Sequence, residues 1–203
     1  HTAIEDLVKT TKKSFGRLNG ILHCAGIISD NFILRKTKRE FEEVLAPKVS
    51  GTLNLDLATK SLELDFFLLF SSAAAATGNI GQADYATANA FMDAFAQIRN
   101  RQAAEGERRG HTLSINWPLW REGGMQVDEI TERRLMEKLA QVPLETLSGM
   151  EALYRAFETK VSQVVIMEGR LEGLSSFFEY SDLCEPTAAI FQADSECSAQ
   201  NKH

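Results

Sequence analysis

Cysteine is scarce in this sequence: Cys24, Cys184 and Cys197 are odd in number, far apart and without a CxxC pair. That argues against a disulfide framework and against a zinc site, and it suits a reducing compartment. Cationic excess is absent as well. The formal net charge is -6 and the pI is near 5.3, whereas a protein that grips a phosphate backbone usually carries a basic stripe. No nucleic-acid partner is expected. No apolar run approaches the roughly 20 residues of a membrane span, and the opening HTAIEDLVKT lacks the basic-then-apolar order of a signal peptide. No membrane partner is expected, and the chain reads as cytoplasmic. The most consequential absence is a glycine-rich turn. A dinucleotide-binding sheet normally opens with a strand, a GxGxxG-like turn and a helix whose N-terminus holds the pyrophosphate. Here the first element is already a helix, AIEDLVKTTKKSF, and no such turn follows any strand.

What is present is enough for a packed domain: 203 residues, of which 44% are apolar. Helical periods alternate with short apolar runs, the sign of βαβ units and a parallel sheet. Four strands are predicted, GILHCA at 20–25, DFFLLFS at 65–71, TLSINW at 112–117 and QVVIME at 163–168. Helices are predicted at 2–15, 37–61 and 82–104, with two more within 127–159. After Leu174 the pattern decays into a polar, acidic stretch without sustained period. The fold class is therefore α/β, a Rossmann-like doubly wound parallel sheet lacking its N-terminal glycine-rich βαβ half. Residues 1–174 form the domain and 175–203 a linker or tail.

The densest chemical signal runs from the second strand into the third helix, FLLFSSAAAATGNIGQADYATANAFMDAFA. Tyr85 and Asn89 are one helical turn apart and share a face. Ser71 and Ser72 end a strand, on the sheet edge where open α/β folds place ligands. In the preceding helix Phe41, Leu45, Lys48 and Thr52 form one stripe, which sets Lys48 on an inward-looking face. These types have a joint purpose. Reducing a carbonyl with a hydride leaves an alkoxide, and a tyrosine can protonate it if a nearby ammonium lowers its pKa. A serine hydroxyl can orient the carbonyl oxygen, and an asparagine amide can hold a water that reconnects the lysine to solvent.

Lys48, Ser72, Tyr85 and Asn89 resemble the catalytic tetrad of the ketoreductase domains of modular polyketide synthases, members of the short-chain dehydrogenase/reductase superfamily. In that family the lysine precedes the serine and tyrosine, as it does here. HCAG at 23–26, PKVSGT around Lys48, LFSSAAAATGNIGQADYATANAF and NWPLW at 116–120 are also similar, so that the likeness covers most of residues 5–175. The family's spacing to Tyr85 selects Ser72 over Ser71. The resemblance implies reduction of a β-ketoacyl thioester, carried on the phosphopantetheine arm of an acyl carrier protein, with NADPH. It implies that Ala25, Gly26, Lys48, Tyr85 and Pro118 lie along the cofactor, and that Trp117 and Pro118 lead into a loop and lid helix over the nicotinamide and substrate. It also implies a partner segment, in the same chain or another, that carries the glycine-rich half. A Leu-Asp-Asp triplet marks one direction of substrate approach and a D-configured hydroxyl in this family. Here Ile28, Ser29 and Asp30 stand in its place, and Gln82 occupies the position three before Tyr85. Asp30, Gln82 and Trp117 are thus the expected substrate and stereocontrol residues, with the D-alcohol as the expected product.

Plainer roles compete for the same residues. A tyrosine in an alanine-rich helix usually packs with its hydroxyl satisfied, and a lysine beside apolar neighbours usually snorkels to the surface. Pro47 costs α-helical hydrogen bonding and would kink the helix that carries Lys48. His23 reads as a satisfied structural histidine, Cys24 as a small buried apolar residue. The charged runs KTKREFEE and ERRGH read as solvated helix faces or ends. Gly123 and Gly124 read as a lid hinge or as the exit loop of a strand. Two rival functions stay open: a stand-alone short-chain dehydrogenase acting on a free ketone, and a non-catalytic half-domain kept as a scaffold. The missing cofactor unit supports the second, because hydride transfer needs the cofactor held as well as the carbonyl.

Overall fold

The predicted strands assemble into one parallel sheet in a computed structural model, which describes residues 2–124, 141–169 and 189–192. The strands are β1 (Gly20–His23), β2 (Phe66–Ser72), β3 (His111–Trp117), β4 (Gln163–Glu168) and β5 (Ala189–Gln192). They lie side by side in chain order, each parallel to its neighbours. The helices are α1 (Thr2–Phe15), α2 (Lys38–Thr59), α3 (Ala73–Thr77), α4 (Ala83–Ala104) and α5 (Thr146–Glu158). β2 alternates between two apolar layers, as a strand buried on both faces must. Phe67 and Leu69 pack with Met92 and Phe95 of α4, while Leu68 joins Ile115 of β3 and Ala152 and Ala156 of α5. A complete doubly wound sheet reverses its strand order at a switch point. The described strands never reverse, which is the order of one half of such a sheet.

The fifth strand corrects the sequence reading, which has four. Residues 189–192 fall within the segment read as a linker, and they pair with β4 from Val165↔Ala189 to Glu168↔Gln192. The surrounding polar, acidic stretch has no sustained period to mark a strand; the pairing with β4 makes it one. The first of the two helices expected in 127–159, and the rest of 175–203, lie outside the described residues. Among the described residues no helix is long and apolar enough to cross a membrane.

The helix that carries Lys48 begins with a capping box. Thr37 Oγ1 accepts the Glu40 amide at 3.2 Å while Glu40 Oε2 accepts the Thr37 amide at 2.7 Å. α2 then continues through Pro47. The Pro47 carbonyl receives a hydrogen bond from His23 Nε2 at 3.0 Å, so the end of β1 is tied to the turn that bears Lys48. Farther along α2, Asp56 is buried between two arginines. Arg99 Nε of α4 donates to Oδ1 at 2.8 Å, and Arg108 reaches Oδ1 and Oδ2 at 2.9 Å. Arg108 belongs to the run ERRGH, and its burial corrects the solvated reading of that segment.

Candidate active site

β2 delivers two serines to the carboxyl edge of the sheet, and strand alternation gives them different surroundings. Ser71 is buried; its hydroxyl donates to the Asn89 carbonyl at 3.3 Å and accepts from Asn116 Nδ2 at 3.1 Å. Ser72 caps α3, accepting the Ala74 amide at 3.2 Å, and its hydroxyl tends to lower the Tyr85 pKa. Behind them Asn116 Nδ2 also donates to Asp93 Oδ2 at 2.8 Å, and Ser114 donates to the other carboxylate oxygen at 2.6 Å. This buried network fixes the end of β2 against α4. Sequence reasoning missed it: Ser114 and Asn116 share one face of β3 and Asp93 follows Asn89 by one turn of α4, but neither spacing says that the two faces meet.

Tyr85 stands in the first turn of α4 and is buried. One turn on, Asn89 is fully buried; Nδ2 donates to the Tyr85 carbonyl at 2.8 Å, and Oδ1 has no partner among the described residues. Lys48 does not snorkel: it is only 3% exposed, with Nζ donating to the Phe70 carbonyl at 2.9 Å and lying 5.8 Å from the centre of the Tyr85 ring. Burial pulls the Lys48 pKa down to about 8, against the opposing pull of Cys24 and Asp93. Burial likewise raises the Tyr85 pKa, with Asp30 adding to the rise, while hydrogen bonds from Ser72 and Asn89 oppose it. The direction differs from the expected lowering by an adjacent ammonium. Desolvation is the largest cause, and the Lys48 ammonium donates to the Phe70 carbonyl. The result is a phenol held protonated, which is the state a proton donor needs.

The remaining predicted residues divide. Gly26 lies against the end of Lys48; a Cβ there would stand 2.9 Å from Lys48 Cε and 3.3 Å from Nζ. Ala25 beside it is exposed, and Pro118 is half-buried past the end of β3. Asp30 and Gln82 meet, Gln82 Nε2 donating to Asp30 Oδ2 at 2.9 Å. The Trp117 backbone stands opposite Ser72 in the sheet register. Its ring is buried in the apolar layer over α5, 5.4 Å from Phe70 and 5.0 Å from Trp120 between ring centres. The last position of a doubly covered strand points into packing rather than into the loop that follows. His23 is the satisfied structural histidine expected, its pKa lowered by burial and by Lys48. Cys24 is exposed rather than buried, because it follows β1, which pairs only with β2 among the described residues.

Comparison with known proteins gives this geometry a family. The model of the KR domain matches residues 1–122. The chain is 50% identical over 169 residues to polyketide synthase PksN of Bacillus subtilis (strain 168), covering 83% of this chain and 3% of that protein. It is 38% identical over 177 residues to polyketide synthase ThaG of Burkholderia thailandensis, covering 87% of this chain and 3% of the relative. Among solved structures, a ketoreductase domain from the bacillaene assembly line superposes with a TM-score of 0.84 at 48% identity, over 87% of this chain and 42% of that one. An N-terminal ketoreductase from the macrolactin assembly line gives 0.75 at 41% identity, over 86% and 33%. The chain thus spans a few per cent of its curated relatives and less than half of the solved domains. It belongs to the KR domain family, the ketoreductase domains of polyketide synthases, and its sheet is part of their Rossmann-like fold.

Proposed function

We propose that this chain is the catalytic part of an NADPH-dependent ketoreductase that reduces a β-ketoacyl thioester on an acyl carrier protein to the β-hydroxyacyl thioester. The observation that carries this reading is the buried Tyr85, its ring 5.8 Å from the Lys48 ammonium and its backbone carbonyl held by Asn89, beside the edge where Ser72 ends β2. The residues present fit a nicotinamide cofactor. Gly26 leaves open a space that any side chain would fill against Lys48, and the buried Asn89 Oδ1 still has an acceptor to offer. Ala25, Gly26, Lys48, Tyr85 and Pro118 would line the cofactor, which supplies the hydride.

In this reading Ser72 donates a hydrogen bond to the keto oxygen and orients it. Tyr85 passes its phenolic proton to the oxygen that becomes the hydroxyl. Lys48 contributes the positive charge that stabilises the phenolate left behind, and Asn89 holds the water through which the proton is replaced. Asp30 and Gln82 stand where they would meet the incoming substrate, and the retained Asp30 favours the D-configured product. The glycine-rich half that grips the rest of the cofactor is assigned to a segment outside this chain's sequence. Its support is that the chain spans 42% of the bacillaene ketoreductase domain it resembles.

The test is NADPH consumption with a simple β-ketoacyl thioester, for this chain alone and joined to its natural upstream segment, with Tyr85→Phe as control. Turnover that needs the added segment and is lost in Tyr85→Phe is expected. A folded, complete domain that consumes no NADPH on a thioester but reduces a free ketone would instead favour the stand-alone dehydrogenase, and inactivity on both would favour a scaffold.

A further inference from the structure

The run KTKREFEE reads as a solvated helix face, and much of it is one: Lys38 pairs with Glu42 and Arg39 with Glu43 at the surface. Lys36 departs from it. Its side chain is 2% exposed, and Nζ donates both to Asp84 Oδ2 and to the Ser29 carbonyl. Asp84 is as fully committed, for its Oδ1 accepts the Tyr85 amide at 2.9 Å. One lysine therefore joins the loop after β1 to the residue that precedes the catalytic tyrosine. Burying two charges is expensive, so a pair of this kind is better explained by the register it enforces than by net stability.

Other contacts join the same two loops. The Asn31 amide donates to the Gly81 carbonyl at 3.0 Å, Gln82 Nε2 donates to Asp30 at 2.9 Å, and Asn79 Nδ2 steadies Gln82 at 2.9 Å. The two side-chain bonds are exposed to water, which competes for their donors and weakens them. The Lys36–Asp84 pair is shielded from that competition. Asp84 lies in the first turn of α4, whose N-cap is Gln82, and Ser29 immediately precedes Asp30.

We infer that Lys36 is a positioning residue for stereochemistry: by clasping Asp84 and the Ser29 carbonyl it holds the Asp30–Gln82 bridge in fixed relation to Tyr85. The bridge then presents one face of the keto group to reduction. This rests on the ketoreductase reading above. Without the clasp the loop after β1 slides relative to α4, and both faces of the substrate become accessible.

The experiment uses the complete ketoreductase domain containing this chain, as wild type, Lys36→Met and Lys36→Arg. Amide hydrogen exchange is followed across residues 27–36 and 78–85 without substrate, and the enantiomer ratio, kcat and KM are measured on a β-ketoacyl thioester. In Lys36→Met both loops should exchange faster, the enantiomer ratio should fall about tenfold, and KM should rise more than kcat falls. Lys36→Arg, which keeps charge and donors, should recover most of the ratio. If Lys36→Met fails to fold, the double variant Lys36→Met/Asp84→Leu replaces the pair with apolar groups, a change buried pairs often tolerate, and the same readouts apply. Unchanged exchange overturns the clasp whatever the activity. Faster exchange with an unchanged enantiomer ratio overturns the stereochemical role. A wild type that reduces no thioester sinks the ketoreductase reading, and the exchange data still decide whether Lys36 holds the loops.

Discussion

Gln82 and Asp30 are 52 positions apart in the chain, yet the Gln82 amide donates to the Asp30 carboxylate at 2.9 Å. The two residues sit on different loops that flank Tyr85, and each limits where the other can go. If they control substrate approach as a unit, their effects must be non-additive. Asp30→Ala and Gln82→Ala should each erode the handedness of the product, and the double variant should be little worse than the poorer single one. Chiral chromatography of the hydroxyacyl product checks this. An intact domain that makes the L-alcohol, with Asp30→Ala leaving that outcome untouched, would remove both residues from stereocontrol.

Tyr85→Phe deletes the hydroxyl whose pKa Ser72 and Asn89 hold down against burial. General acid catalysis is worth about 10²–10⁴ in rate. In the complete domain kcat should fall by that order with KM little changed, because the buried ring remains. A drop of less than tenfold would mean that another group donates the proton.

The buried Lys48 links stability to pH. Its folded-state pKa is about 8, below the ordinary 10.5. Below pH 8 both the folded and unfolded chains hold the proton, and the cost of burying the charge is fully present. Between about pH 8 and 10.5 the unfolded chain binds a proton that the folded chain has released, so stability rises with pH. From pH 8 to 10 the wild type should gain on the order of 2 kcal/mol relative to Lys48→Met. Urea midpoints of both proteins at the two pH values measure it, and parallel pH dependences would show that the lysine stays charged.

Asp56 is the counterion of two buried cations, Arg99 and Arg108. Asp56→Asn leaves Arg99, 1% exposed, without a balancing charge in the protein interior. Removing one partner of a buried pair costs roughly 3–5 kcal/mol. Equilibrium unfolding should show a loss of that size, whereas Glu43→Gln, which breaks a surface pair with Arg39, should leave the midpoint where it was.

The sheet was legible because its central strands are continuous apolar runs: the predicted segments at 65–71, 112–117 and 163–168 fall within a residue of β2, β3 and β4. Helix starts were legible where chemistry marks them, as Thr37 and Glu40 do for α2. The buried ion pairs were not. Lys36 and Arg108 sit in charged runs whose other members face solvent, and their partners Asp84 and Asp56 are 48 and 52 positions away. Periodicity reports the face on which a residue lies, but not the distant group that neutralises it. The packing of the Trp117 ring was hidden for a related reason: it lies against Phe70 of the neighbouring strand, a contact that local spacing does not show.

Strand order and chain order coincide from β1 to β5. Each new strand can therefore dock on the one synthesised just before it, and the sheet can lengthen from one side as the polypeptide leaves the ribosome. The opposite flank of β1 is never a growing end in this sequence of events. A segment that completes the sheet there would have to be in place before β1 emerges, or else dock afterwards on a finished surface, and these two routes differ in whether synthesis order or affinity governs assembly.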